Sequence, residues 1–460
     1  MKIYNTMSRQ KEEFKPLEPN KIKLYSCGPT VYDYFHIGNA RTFMFFDMLW
    51  RYFEFSGYEV IYVQNITDID DKIIAKSLEA GVTFGEIADR YSRAFLEDSA
   101  RLGLRKPTHQ PRATEVMPEI IALIDALVQR GYAYETGGDV YFRQQALPEY
   151  GSLSGKKVDE QKTGARVEEN SAKEHPADFT LWKKSKAGEP IWDSPWGLGR
   201  PGWHSECVVM SQKYLGETFD IHGGGVDLVF PHHENELAQA KAITGKPLAN
   251  YWMHSGFLNI EGEKMSKSLK NFFTARDILD QYDAEVIRFF FLSKHYRSPI
   301  DFNRELIEES GRALRNIYQV LRAMDYQNYL DAEPQHLDEG VVARFKEAMD
   351  DDFNTAKAIA LFFELNTLIK ASQDKDEKRK YADTIVHLGK ALGFFQDLAK
   401  HLSTDHDQLS TALIELVISY RQQARADKNW ALSDKYRDDL KALGVALKDT
   451  PGGCQWSIET

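Results

Sequence analysis

The sequence predicts an α/β chain: a Rossmann-like domain built on a parallel sheet and carrying an insertion, then an all-α helical bundle and a small C-terminal module. Three observations carry this expectation. Short apolar runs at 22–25, 58–63 and 219–221 each read as a strand that ends in a turn rich in small or polar residues, with helical pattern beyond it. Residues 131–190 interrupt that alternation with a hairpin pattern and a charged stretch of weak periodicity. From 304 onward amphipathic helical spacing dominates.

At 460 residues the chain has room for roughly three domains of ~150 residues each. Its 42% hydrophobic and 28% charged residues suit a soluble globular protein, and no apolar run approaches the ~18 residues of a membrane span. Residues 1–14 are polar and mixed in charge, so no secretory signal is read there and a cytoplasmic setting is expected. Three cysteines, Cys27, Cys207 and Cys454, are too few for a disulfide framework. A net charge of -11 argues against indiscriminate nucleic-acid binding, which calls for a basic excess.

The stretch from Cys27 to Arg41, C-G-P-T-V-Y-D-Y-F-H-I-G-N-A-R, sets the frame. Cys27 falls at a strand's end and His36 at the start of an apolar helix spanning 42–53. In an open α/β sheet, ligands bind beyond the strand carboxyl ends, against helix N-termini. Gly38 lets a ligand approach the backbone, the helix start favours phosphate, and His36 and Asn39 add donors. An ordinary turn would have the same local pattern.

The second strand runs into Asn65-Ile-Thr-Asp-Ile-Asp-Asp-Lys72, and a right-handed crossover would bring Thr67 beside Cys27. Thr67 or Asp68 could equally cap the next helix. Helices follow over 84–102 and 114–130, the latter closed by Gly131, and a hairpin pairs 132–134 with 140–142.

Sheet-like motifs resume with Trp203-His-Ser-Glu-Cys207, Phe219-Asp-Ile-His-Gly-Gly-Gly-Val-Asp-Leu228 and Phe230-Pro-His-His-Glu-Asn-Glu236. Glycines centred on Gly224 suit close approach to a flat ligand, with Asp227 accepting from a ribose hydroxyl; a flexible glycine turn is the alternative. Pro231 opens a helix that sets His232 and Glu236 one turn apart. Cys27, Cys207, His232 and Glu236 make a plausible zinc set. Two buried thiols and a simple His–Glu pair would account for the same residues, and His233 competes for the imidazole position. Lys264-Met-Ser-Lys-Ser-Leu-Lys-Asn271 then offers lysines on a loop able to close over a triphosphate, or merely an exposed charged loop.

Taken in this order, the motifs resemble those of class I aminoacyl-tRNA synthetases. The first signature, H-I-G-H, stands as His36-Ile37-Gly38-Asn39, and the second is intact from Lys264 to Ser268. Within the class, the runs around Cys27, Asn65 to Lys72, Gly202 to Cys207, and His222 to Glu236 are similar to the cysteinyl-tRNA synthetases, over nearly the whole chain. The resemblance implies two-step cysteinylation of tRNA(Cys), with cysteinyl-adenylate formed from L-cysteine and Mg2+-ATP. It implies that His36, Gly38, Asn39, Lys264 and above all Lys267 hold the phosphates, and that Gly224 and Asp227 hold the adenosine. One Zn2+ on Cys27, Cys207, His232 and Glu236 takes the substrate thiol, with Thr67 and Trp203 lining the pocket, and no editing domain is expected. Arg425, Trp430 and Asp434 would face the anticodon.

Two departures stand out: Asn39 replaces a histidine, keeping a donor but no titratable proton, and Lys270 replaces a glycine that often follows the second signature. The expected division is 1–130 with 191–250 as the two halves of the catalytic domain and 131–190 as the insertion. Residues 251–303 form the signature-loop region, 304–400 the bundle and 401–460 the anticodon module, in a monomer. A cysteine ligase acting on a small amine, of the mycothiol-pathway type, shares such a site but needs no helical tail. A silent zinc-bearing RNA-binding paralogue would not need Lys264 and Lys267.

Overall fold

The computed structural model describes residues 1–156, 173–260, 263–264, 273–330, 336–402, 405–450 and 453–458. Four parallel strands form the central sheet: β1 (Lys21–Ser26), β2 (Glu59–Gln64), β3 (Phe219–Gly225) and β4 (Ala249–Ser255), in the spatial order β4-β3-β1-β2. Three helices matter for the site: α1 (Ile37–Phe55), α2 (Trp203–Leu215) and α3 (Glu234–Thr244). Parallel strands need cover on both faces. Accordingly α1 is buried nearly all round from Ala40 to Leu49, with Phe43, Met44, Phe45 and Phe46 in succession. Ser26 of β1 sits opposite Gln64 on one side and Gly223 on the other, and the Cys27 N–H donates to Gly223 O at 3.1 Å.

Several expectations needed correction. The helix after β2, Asp71–Ala80, is capped by Asp70, not by Thr67 or Asp68. Asp68 instead accepts the N–H and hydroxyl of Thr114, while Thr67 pairs its backbone with Pro29 and Val31. The three glycines are no turn: β3 continues through them because β4 runs alongside to Ser255. A Cβ on Gly223 would stand 2.0 Å from the Phe46 ring, and one on Gly224 2.9 Å from His233, so these glycines make room for α1 and for an imidazole.

The insertion forms a four-stranded antiparallel sheet from Ala133–Thr136, Asp139–Phe142, Phe179–Lys184 and Gly199–Pro201, its last strand lying past residue 190. Residues after the signature loop form two helices, Ala275–Leu279 and Ala284–Leu292, the second capped by Asp283. Residues Leu398–Leu402 are helical, with Leu398 and Leu402 buried one turn apart.

The chain forms two compact units, 1–317 with 334–396, and 318–333 with 397–460. In the first, the break between Glu339–Asp350 and Thr355–Ala371 turns on Asp352, at φ 62°; its buried carboxylate accepts from Tyr4 N, Tyr296 Oη and Arg297. In the second, helices Asp405–Ala426 and Trp430–Ala442 and the hairpin Val445–Thr450/Gly453–Ile458 enclose Ile414, Ile418, Leu440 and Val445. Among the described residues no helix is long and apolar enough to cross a membrane.

Candidate active site and metal centre

The strand order reverses between β1 and β3, and a cavity of about 400 Å³ opens where their carboxyl ends face the start of α1. His36, Gly38 and Asn39 line it from the helix side; Thr67, Trp203, Gly225 and Asp227 line it elsewhere. Gly224 faces His233 and Leu228 instead. His36 is the N-cap of α1: its Nδ1 accepts the Asn39 N–H at 3.2 Å, which puts the ring proton on Nε2.

Four side chains meet at this cavity, Cys27, Cys207 and His232 in its lining and Glu236 behind them. Cys27 follows β1, Cys207 lies on α2, His232 is in the turn that leads into α3, and Glu236 is four residues on, in the first turn of α3. Cys27 Sγ and Cys207 Sγ are 3.9 Å apart, Cys207 Sγ and His232 Nε2 3.5 Å, His232 Nε2 and Glu236 Oε1 2.9 Å, and Glu236 Oε1 and Cys27 Sγ 3.6 Å. A tetrahedral zinc with bonds of ~2.3 Å to sulfur and ~2.0 Å to nitrogen or oxygen spaces its ligands roughly 3.3–3.8 Å apart. The donor set fits a metal of that kind, and three of the spacings lie in or next to that range, while His232 and Glu236, at 2.9 Å, stand at the distance of a hydrogen bond to each other. Trp203 stacks on the His232 ring with centroids 3.9 Å apart, and His232 Nδ1 meets His204 Nδ1 at 2.9 Å, so the ring's plane and its tautomer are both held.

Sequence reasoning missed the layer behind. His222 Nε2 lies 2.7 Å from Glu236 Oε2. His233 Nε2 lies 3.2 Å from Cys27 Sγ, His233 Nδ1 2.8 Å from His254 Nε2, and His254 Nδ1 2.8 Å from Thr6 Oγ1. Cys27, His222, His233 and Glu236 thus form a second donor cluster that shares two members with the first. One signal was available: five of the 13 histidines fall between 204 and 254.

Burial pushes the Cys27 thiol well up. It acts on Cys207 in the same sense, but the bond from Cys27 and the neighbouring His232 bring Cys207 down to about 7. Burial also opposes charge on His232, yet Glu236 and Cys207 raise it to about 10. Glu236 sits well below the ordinary carboxylate range despite its burial, because His222 and His232 flank it. Glu236 and Cys207 thus face one shared positive charge, that of His232, which a divalent cation would supply in its place. Burial, then Cys207, pushes the carboxyl of the adjacent Glu206 up.

Lys264 ends the short strand Glu263–Lys264; Lys267 and Lys270 lie outside the described residues. In the second unit, Arg425 is in the last turn of Asp405–Ala426, Trp430 opens the next helix with 58% of its surface exposed, and Asp434 pairs with Arg437 at 3.3 Å.

A family model described as the tRNA synthetases class I (C) catalytic domain matches residues 13–312, and that of the DALR domain matches 344–396. Two solved structures share the fold. Methionyl-tRNA synthetase from Mycobacterium tuberculosis, in complex with methionyl-adenylate, aligns with a TM-score of 0.58 at 15% identity, covering 83% of this chain and 93% of that one. A LeuRS–tRNA–LeuAMS ternary complex from Agrobacterium radiobacter K84 aligns with a TM-score of 0.60 at 10% identity, covering 85% and 86%. A parallel sheet with a cavity at its switch point, in a chain matched over that catalytic domain, defines the class I aminoacyl-tRNA synthetases. A cysteine–tRNA ligase from Carboxydothermus hydrogenoformans is 49% identical over 466 residues, 99% of each chain. The chain belongs to the cysteine–tRNA ligase family.

Proposed function

We propose that the chain activates L-cysteine with Mg2+-ATP to cysteinyl-adenylate and transfers the cysteinyl group to the 3′-terminal adenosine of tRNA(Cys), with zinc on Cys27, Cys207, His232 and Glu236 selecting the substrate thiol. The supporting observation is that these four donors lie within 4.8 Å of one another, and that three of them, Cys27, Cys207 and His232, line the cavity that the first turn of α1 also lines. When bound, the ion lowers the pKa of a coordinated thiol and holds the thiolate, which serine's hydroxyl cannot match. Discrimination by pocket shape alone would be worth roughly 1–3 kcal/mol, a margin that otherwise calls for editing. The overlapping set through His222 and His233 is less suited, since only Cys27 of its four members lines the cavity, against Cys27, Cys207 and His232 of the first set.

Phosphoryl chemistry of this kind needs alignment and charge compensation more than covalent help. His36 donates from Nε2, Gly38 from its backbone and Asn39 from its amide, while Lys264 and Lys267 neutralise charge on the α-phosphate and the departing pyrophosphate. Asp227 accepts from the ribose beside Gly225; Gly224 acts indirectly, by seating His233. Thr67 and Trp203 frame the amino acid. Arg425, Trp430 and Asp434 contact the anticodon by stacking and hydrogen bonds. Every group named comes from one chain, so a monomer suffices, and the reduced cytoplasm keeps Cys27 and Cys207 able to ligate.

Metal content and cysteine-dependent ATP–pyrophosphate exchange of the purified protein test this together. Bound zinc and exchange with cysteine but not serine are expected; no exchange with cysteine in zinc-loaded protein sinks the proposal.

A further inference from the structure

His36 is placed in the cavity by its backbone as well as by its cap bond. The peptide groups on either side of it pair with the segment that enters the helix Ala275–Leu279. The Ile37 N–H donates to Phe273 O at 3.1 Å and the Ala275 N–H to Phe35 O at 2.9 Å, an antiparallel bridge of His36 with Thr274. The bridge stands outside the strands of the fold, so two backbone bonds of modest net strength set the direction in which the His36 ring leaves the chain.

The bridge partner is itself tied down by the next residue, Arg276. Its Nε donates to both carboxylate oxygens of Asp98, at 2.9 and 3.2 Å, and its Nη2 to Glu97 Oε2 at 3.2 Å, both on the helix Phe84–Arg101. Asp98 is buried, and its other cation, Arg101 at 3.8 Å, is shared with Asp280. The Arg276 guanidinium carbon also stands 4.7 Å from the centre of the Tyr34 ring. Tyr34 lines the cavity two residues before His36, whereas Arg276 does not line it. One planar cation therefore fixes both the segment paired with residues 35–37 and the ring at position 34, a combination of forked hydrogen bonds and face contact that suits arginine.

We infer that Arg276 is a positioning residue for adenylate formation: it acts through His36, whose ring it aims at the phosphates of ATP, and touches no substrate itself. The inference rests on the cavity being the cysteine-activating site and adds a residue to its phosphate side. A reacting group displaced by about 1 Å can cost on the order of 100-fold in rate, so a distant anchor of His36 has kinetic weight.

A double-mutant cycle on the full-length, zinc-loaded protein tests this. Arg276→Gln should lower kcat/KM for ATP in cysteine-dependent pyrophosphate exchange about 10- to 100-fold, with zinc content and the KM for cysteine unchanged. In a His36→Ala background the same substitution should change kcat/KM by less than about twofold, because the group it positions is gone. Equal losses in both backgrounds, or a KM for cysteine that rises in step, overturn the inference and leave Arg276 a structural residue. If Arg276→Gln fails to fold, Arg276→Lys keeps a cation beside Asp98 without the fork or the Tyr34 contact, and its smaller loss should likewise vanish in His36→Ala. Wild-type protein without exchange counts against the proposed activity instead; the cycle is then read on Mg2+-ATP affinity by calorimetry, where coupling supports the role of Arg276 and additivity overturns it.

Discussion

His222 Nε2 donates to one oxygen of Glu236 at 2.7 Å, while the other oxygen faces His232 and the two thiols. One buried carboxylate therefore joins the proposed metal ligands to β3. The His222 ring also stacks on Trp252, 4.4 Å between centroids, so its position does not depend on the bond to Glu236.

His222→Phe keeps that stacking and removes the donor. Zinc affinity should drop about 10- to 100-fold, as for other partners of metal-bound carboxylates, in a chelator competition assay. An affinity equal to wild type would mean that Glu236 is oriented by something else.

Cys207→Ser exchanges a strong zinc ligand for a poor one in a buried position. Bound zinc and cysteine activation should disappear together. Unchanged zinc by elemental analysis would refute the ligand assignment.

Arg41 is 3% exposed and donates to four backbone carbonyls, those of Gly256, Phe257, Tyr296 and Ser298. Gly256, Phe257 and Leu258 line the cavity, so Arg41 holds part of its wall. Arg41→Met leaves these acceptors without their donor; at about 1–3 kcal/mol for each group left unpaired, thermal unfolding should begin several degrees earlier. The KM for ATP should rise as well, and a variant with wild-type melting and KM would show that the wall holds itself.

Asp47 lies buried between Arg288 at 2.8 Å and Arg51 at 2.9 Å. Burial works to raise its pKa, but Arg288 and then Arg51 outweigh it, so the carboxyl titrates below its unfolded value of ~3.9. A folded pKa below the unfolded one means stability that is present above pH ~4 and lost as pH falls through the folded pKa. Asp47→Asn should cost about 3–5 kcal/mol at neutral pH, because Arg288 is left buried and unpaired. Stability curves of wild type and variant should converge on acidification below pH ~4; parallel curves down to pH 2 would rule this linkage out.

Much of the first crossover was legible, because each step there is a local event: an apolar strand, a polar turn, and an apolar helix that starts after His36, though five residues earlier than the apolar run at 42–53 indicated. The run around Lys264 and Lys267 was visible as a motif because it is uninterrupted, but Lys267 lies outside the described residues. Capping after β2 was not legible. Thr67, Asp68 and Asp70 are all good caps by residue type, and Asp70 takes the role only because sheet pairing claims Thr67 and Thr114 claims Asp68. The glycine run read as a turn for a similar reason: glycine favours turns locally, but β4 offers partners through Gly225 and Phe46 needs the space.

Sequence by itself determined much of the order of strands and helices and the two signature runs, because those rest on residue type and short spacing; the four metal ligands it could only propose, through the resemblance. Only the tertiary structure decided that Cys27 and Cys207, 180 positions apart, face each other, that His222, His233 and His254 stand behind them, and that Glu206 lies against Thr67. Distances between remote side chains are set by how β1, β3 and α2 pack. No local propensity encodes that packing, which depends on the burial of both sheet faces at once.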